Sequence, residues 1–190
     1  MSAGGEDNQT VARMAAAIAA LYAVLAVPLA VSGPEMPPAT TAASAVLAVG
    51  LAVLSAIDVK TLRLPDTLTL PLAAIGLGFA ALLGWETALL WRLGAAVAAY
   101  VFIWLVAQTY EKVRGRAGIG LGDGKLLAVA GAWLGPAGVP ATLLYGCAGA
   151  LLFVAVRFVA RRPVGRGEAL PFGPFLAAGL WLVWLYGPLV

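Results

Sequence analysis

Carboxylates are the side chains of this sequence with the means to do chemistry. Its 190 residues hold nine Asp and Glu, twelve Lys and Arg, one cysteine and no histidine. Without histidine there is no Ser-His or Cys-His nucleophile and no His-ligated metal. The single cysteine, Cys147, lies in an apolar stretch and makes neither a disulfide frame nor a zinc tetrad. Two aspartates stand out by position. Asp58 closes Ser55-Ala56-Ile57-Asp58, flush with an apolar run. A carboxylate there opposes the negative end of its own helix, a poor choice for a purely structural end, although pairing with Lys60 or Arg63 is the plainer alternative. Asp123 stands in Gly118-Ile119-Gly120-Leu121-Gly122-Asp123-Gly124-Lys125, just ahead of another apolar run. Asp serves well as a helix N-cap, yet Gly120, Gly122 and Gly124 also let an extended peptide approach the backbone. Two carboxylates sharing one proton form a hydrolytic device: the ionised member deprotonates water while the protonated one donates to a carbonyl. Such a pair needs no metal and no cofactor, and none is expected.

The elements that must position these aspartates are membrane helices. The chain is 62% hydrophobic and 11% charged, with a mean hydropathy of +0.95. Soluble domains are roughly half apolar and a quarter charged. The apolar runs predict an all-α, polytopic transmembrane bundle of about seven spans in one domain over 1–190: Val11–Val31, Thr41–Ile57, Thr67–Gly84, Leu89–Gln108, Gly124–Leu134, Val139–Val159 and Phe172–Val190. The fifth covers only about half of a ~30 Å hydrocarbon core. Eleven of the twelve basic residues fall on one side, with Arg92 opposite. By the positive-inside rule the N-terminus is cytoplasmic. The basic excess is thus a topology signal, and no nucleic-acid partner is expected. Acidic residues near the N-terminus argue against a cleaved signal peptide, so the first span is read as a mature helix.

The other acids read as less chemical. Asp66, between Pro65 and Thr67-Leu68-Thr69, fits an N-cap of the third span. Glu111 sits among Lys112, Arg114 and Arg116 as a solvated charge, and Glu6, Asp7, Glu35 and Glu86 lie in tails or turns. Glu168 precedes a Pro/Gly-rich segment through Pro174 that is a candidate substrate-facing element. The connection Thr109–Gly122 is expected to be a mobile loop.

Three ordered motifs carry a family resemblance. Gly120-Leu121-Gly122-Asp123, with Gly124-Lys125-Leu126-Leu127-Ala128 and Gly131-Ala132-Trp133-Leu134-Gly135, resembles the GxGD segment of the type IV prepilin leader peptidases. Ile57-Asp58 with Leu64-Pro65-Asp66-Thr67-Leu68-Thr69-Leu70-Pro71-Leu72 resembles that family's first aspartate motif. Pro171-Phe172-Gly173-Pro174-Phe175-Leu176-Ala177 resembles its third. The resemblance covers about Val46 to Ala178. It implies an aspartic endopeptidase of the bacterial inner membrane that cuts the basic leader of prepilins or type II secretion pseudopilins at the cytoplasmic face. Asp58 and Asp123 would be its catalytic pair, Gly120, Gly122 and Gly124 would admit the substrate backbone, and Phe172 and Pro174 would wall the site. The partners implied are a pilin precursor with a hydrophobic helix, and membrane lipid. Longer members bind zinc through a cysteine tetrad and many N-methylate the product. This chain resembles the compact peptidase-only form, for which methylation is not expected. A small proton-coupled transporter with relay aspartates and a structural subunit of a pilus or secretion assembly are the readings from other classes.

Overall fold

The structure, a computed structural model, describes residues 38–82, 86–115, 120–161 and 170–188. They form α1 (Pro38–Thr61), α2 (Asp66–Leu82), α3 (Glu86–Arg114), α4 (Leu121–Leu134), α5 (Gly138–Val159) and α6 (Gly173–Tyr186), with no strand among the described residues. Three helices, Pro38–Thr61, Ala88–Arg114 and Gly138–Val159, are long and apolar enough to cross a membrane. The expected first span, Val11–Val31, lies outside the described residues, as do Glu6, Asp7, Glu35 and Glu168. Six expected spans each coincide with a helix, with shifted ends: α1 starts three residues before Thr41 and runs four past Ile57, so that Asp58 lies inside its last turn, and α3 starts three residues before Leu89. α3 runs on to Arg114 and takes the first six residues of the expected loop Thr109–Gly122. Its last turn carries Lys112 and Arg114, which suit a helix C-terminus, and Gly115 ends it at φ +66° with its N–H on the Glu111 carbonyl. α6 stops at Tyr186 instead of Val190, because Gly187 turns the chain at φ +85° and Pro188 cannot continue a helix.

α4 is the helix the others surround. It packs on α2, α3, α5 and α6, while α1 packs on α2 and α6. Its 14 residues make it about 21 Å long, too short to cross the ~30 Å core. Such a helix must end inside the bundle, where its last carbonyls still need donors. Arg92 of α3 supplies one, its guanidinium donating to the Trp133 carbonyl. Gly135 supplies another, its N–H donating to the Gly131 carbonyl at 2.9 Å.

Trp133 anchors α4 laterally. It is fully buried, its indole N–H donates to the Leu72 carbonyl of α2 at 2.8 Å, and its ring lies 6.3 Å from Phe79 and 5.4 Å from Trp184. Trp184 in turn donates to Ser44 Oγ of α1 at 2.9 Å. Small residues permit this closeness. A Cβ on Gly76 would come within 2.5 Å of the Trp133 ring, and one on Gly131 within 2.5 Å of the Ala96 backbone N. Between α5 and α6, a Cβ on Gly179 would come within 2.6 Å of the Thr142 carbonyl. In lipid, where apolar faces gain little by leaving the solvent, such close approach is what holds helices together.

Gly131→Ala should therefore destabilise the protein by about 1–3 kcal/mol, since its Cβ would meet backbone that cannot swing aside. Gly78→Ala on α2 meets nothing within 4 Å and should gain about 0.5–1 kcal/mol of helix preference. Paired melting curves in one detergent check both; equal melting temperatures for the two variants would contradict the close-packing role of Gly131.

Candidate active site

Asp58 sits in the last turn of α1, buried at 7% exposure. The conflict with its own helix dipole is resolved by another helix. The backbone N–H of Gly173, first residue of α6, donates to Asp58 Oδ2 at 3.0 Å. The orphan N–H groups and positive end of a helix N-terminus welcome an anion, so α6 offsets what α1 costs. The fit demands glycine: a Cβ at Gly173 would stand 2.6 Å from Asp58 Oδ2. After Asp58 the chain leaves α1 through Leu62, whose φ of +52° is uncommon for a residue with a side chain, and the Leu62 N–H closes onto the Asp58 carbonyl at 2.8 Å.

Asp123 lies in the first turn of α4, at the same end of the bundle. Burial first, and the Asp58 charge second, push its carboxyl up to about 6. The two aspartates, far apart in sequence, are thus near enough to act on one another. Their helices reach this arrangement through shared neighbours, since α2 and α6 each pack on both α1 and α4. The three glycines around Asp123 have different surroundings. Gly120, the N-cap, is exposed with open space where a Cβ would be. A Cβ on Gly122 would lie 3.4 Å from Leu64, and one on Gly124 would lie 3.2 Å from Ile103 of α3. Phe172 is the half-buried N-cap of α6, and Pro174 is buried in its first turn, where a missing N–H costs nothing.

Asp66 departs from its expected place. The Pro65 carbonyl accepts from the Thr69 N–H, so Pro65 is the cap and Asp66 is the first helical residue. Its carboxylate forms an ion pair with Lys125 of α4, Oδ1 to Nζ at 2.6 Å. Sequence reading missed this pair, and it missed Gly173 as a donor to Asp58. Only the second had a signal: Pro171 and Pro174 bracket the start of a helix, and a helix start offers free N–H groups. Glu111 is exposed, as expected of a solvated charge. Among the described residues no group of three or more Cys, Asp or Glu side chains gathers as a metal site.

Comparison with known proteins identifies a family. The pattern of the type IV leader peptidase family matches residues 45–155. A prepilin leader peptidase/N-methyltransferase of Burkholderia pseudomallei (strain K96243) is 44% identical over 135 residues, covering 70% of this chain and 42% of that protein. The protein of the same name from Aeromonas hydrophila is 38% identical over 148 residues, 77% of this chain and 50% of its own. That from Pseudomonas aeruginosa is 40% identical over 139 residues, 73% and 47% respectively. The chain therefore spans about half the length of the curated relatives it matches, or somewhat less. No solved structure matches it. The matched stretch includes Asp58, Asp66, Asp123 and Lys125 and runs through α1 to most of α5, so this multi-pass helical membrane protein belongs to the type IV leader peptidase family.

Proposed function

We propose that the chain is an aspartic endopeptidase that removes the basic leader of type IV prepilins or type II secretion pseudopilins at the cytoplasmic face of the bacterial inner membrane. The observation that carries this reading is that the charge of Asp58 acts on Asp123, a buried and a half-buried carboxyl at one end of an apolar bundle. The relatives' printed name adds the substrate class. In this reading the seven-span topology with a cytoplasmic N-terminus puts that end of the bundle at the inner surface. The pilin helix lies beside the bundle in lipid and presents its leader junction to the aspartates.

The chemistry follows from the environment of each carboxyl. Asp58 accepts the Gly173 N–H and faces the N-terminus of α6, which favours negative charge on it. Asp123, pushed up to about 6, is the member that more readily takes a proton, and its protonated fraction is the reactive form. Asp58 takes a proton from a water positioned between the two, and the water oxygen attacks the scissile carbonyl. Asp123 protonates the carbonyl oxygen, giving a neutral tetrahedral intermediate. The intermediate collapses as the proton on Asp58 passes to the departing amine and Asp123 recovers its own. The pair titrates as a unit, so the roles describe the reactive microstate. A transport relay would place its acids near the bilayer midplane, whereas these sit at helix ends. The relatives' second activity, N-methylation, is not part of this proposal.

Asp58→Asn and Asp123→Asn should each lower cleavage of a purified prepilin by roughly 10³-fold or more, and the double variant should be little worse, because the pair acts as one device. Gly173→Ala, which must push the Asp58 carboxylate aside, should cost about 10²-fold through misplacement alone. Substantial turnover in either asparagine variant would remove that residue from the mechanism.

The raised Asp123 carboxyl also makes a stability statement. The native state holds this proton up to about pH 6, whereas the unfolded chain releases it near 3.8, the ordinary value for an aspartate. Stability due to this group is therefore full below about pH 4 and is lost as pH climbs through 6. Asp123→Asn abolishes that loss and should be the more stable protein at pH 7, by up to about 3 kcal/mol, with no advantage at pH 4. Melting temperatures of the two proteins across this range test it, and parallel curves would refute it.

A further inference from the structure

Lys125 follows Asp123 by two residues in the first turns of α4, and its ammonium lies 2.6 Å from Asp66 Oδ1. Residues two apart do not share a helix face. Asp123 feels the charge of Asp58, and Lys125 is turned to Asp66 of α2. The Asp66 side chain is 60% exposed and that of Lys125 27%. A pair this open adds little to folding stability, so its geometry asks for another reason. The reason lies in what it spans. Asp58 lies in the last turn of α1, which ends at Thr61, the four residues 62–65 lead on to Asp66, Asp66 holds Lys125, and Lys125 follows Asp123 by two residues in α4. The turn between is itself clamped, with buried Leu64 against Gly122. The ion pair closes a strap from one catalytic carboxylate to the other.

We propose that Asp66 is a positioning residue for the aspartate pair: it binds the Lys125 ammonium against α2 and so keeps that cation off Asp123. The inference rests on the endopeptidase reading for its role in catalysis, and on geometry for the contact itself. A cation beside a carboxyl stabilises its ionised form. Lys125, released, would therefore strip Asp123 of the proton it must give to the substrate carbonyl. The Lys125 ammonium has room to leave Asp66, because the pair edges a cavity of about 290 Å³ between α2, α3 and α4 that is also lined by Thr69, Ala73, Tyr100 and Ala128. The other charged or titratable groups at this end of the bundle, among the described residues, are few. α1 brings Asp58 with exposed Lys60, the turn after it brings exposed Arg63, α3 brings Tyr100 and its final Tyr110–Arg114 turn, and α5 brings Arg157 with exposed Arg161 just beyond its end. Within the packed part of α6, from Gly173 to Leu185, there is none.

The test is an NMR titration of the full chain in detergent with ¹³C-labelled aspartate, the Asp123 signal being assigned by its loss in Asp123→Asn. In Asp66→Asn the Asp123 midpoint should fall by about one unit or more. In Asp66→Asn/Lys125→Met, which removes the freed cation, it should return to that of the unmodified chain. The pH–rate profile on a prepilin should move in step, with Asp66→Asn slow near neutrality and recovering at lower pH, and the double variant restored. An unmoved midpoint in Asp66→Asn overturns the proposal, as does a lowered midpoint that the second substitution fails to restore, since either leaves the pair a structural tie. The titration needs no substrate. A shifted midpoint in a chain that cuts no prepilin would count against the proposed function and not against the shielding of Asp123, and an unmoved midpoint in an active chain would do the reverse.

Discussion

A carboxylate buried among apolar helices is the constraint on which this structure turns. Asp58 has nowhere to put its charge within α1, whose C-terminal carbonyls repel it, and burial removes water as a remedy. The solution is to begin another helix against it. α6 starts at Gly173, donates its first N–H to Asp58 Oδ2 and presents its positive end to the same oxygen. Much of the local architecture follows. The residue at the contact has no room for a Cβ, the proline after it starts a helix without losing a needed N–H, and α1 must lie along α6 to bring the two ends together.

Asp123 is held by a different economy. It rides on a helix too short to span, which lets a helix start and a helix end meet near one level of the bundle. A short helix inside an apolar bundle carries exposed backbone groups at both ends. At its far end these are met by Arg92 and by the Gly135 cap. Laterally α4 is fixed by Trp133, which hydrogen-bonds α2 and packs on the α6 ring of Trp184. Gly76 and Gly131 are the positions where α2 and α3 come too near for a side chain. The rigidity that orients Asp123 is thus built from glycine, tryptophan and one arginine.

How much of this could be read beforehand depended on whether the cause was local. The helices from Thr41 onward were legible because apolar length is a local property, and the shortness of the fifth was legible for the same reason. Asp58 and Asp123 were legible because each breaks a local rule, an acid at a helix C-terminus and an acid in a glycine run. The failures have the opposite character. The α6 end is an exception, a local signal passed over, since Gly187-Pro188 interrupts the apolar run and marks a helix stop. The Asp66–Lys125 pair joins residues that periodicity cannot relate, and local reading assigned Asp66 a capping task that the Pro65 carbonyl performs. The role of Gly173 was within reach once Pro171 and Pro174 were taken as a helix start, but nothing near it names Asp58 as the acceptor.

An apolar bundle with no histidine can still place two carboxyls of unequal character at one end, because helix termini are the polar groups that such a bundle always has. One carboxyl at the start of α6 is offered an N–H that suits its ionised form. The other, in the first turn of α4, has a favourable dipole of its own, yet burial and the first charge prevail and push it up to about 6. The inequality therefore arises from which helix end each acid meets and in what order, with no further titratable group required. Hydrolysis also needs water, and helix ends at one face of the bundle are where water and an apolar substrate helix can both be present. The catalytic proposal and the fold thus depend on the same fact, that α1 ends where α4 and α6 begin.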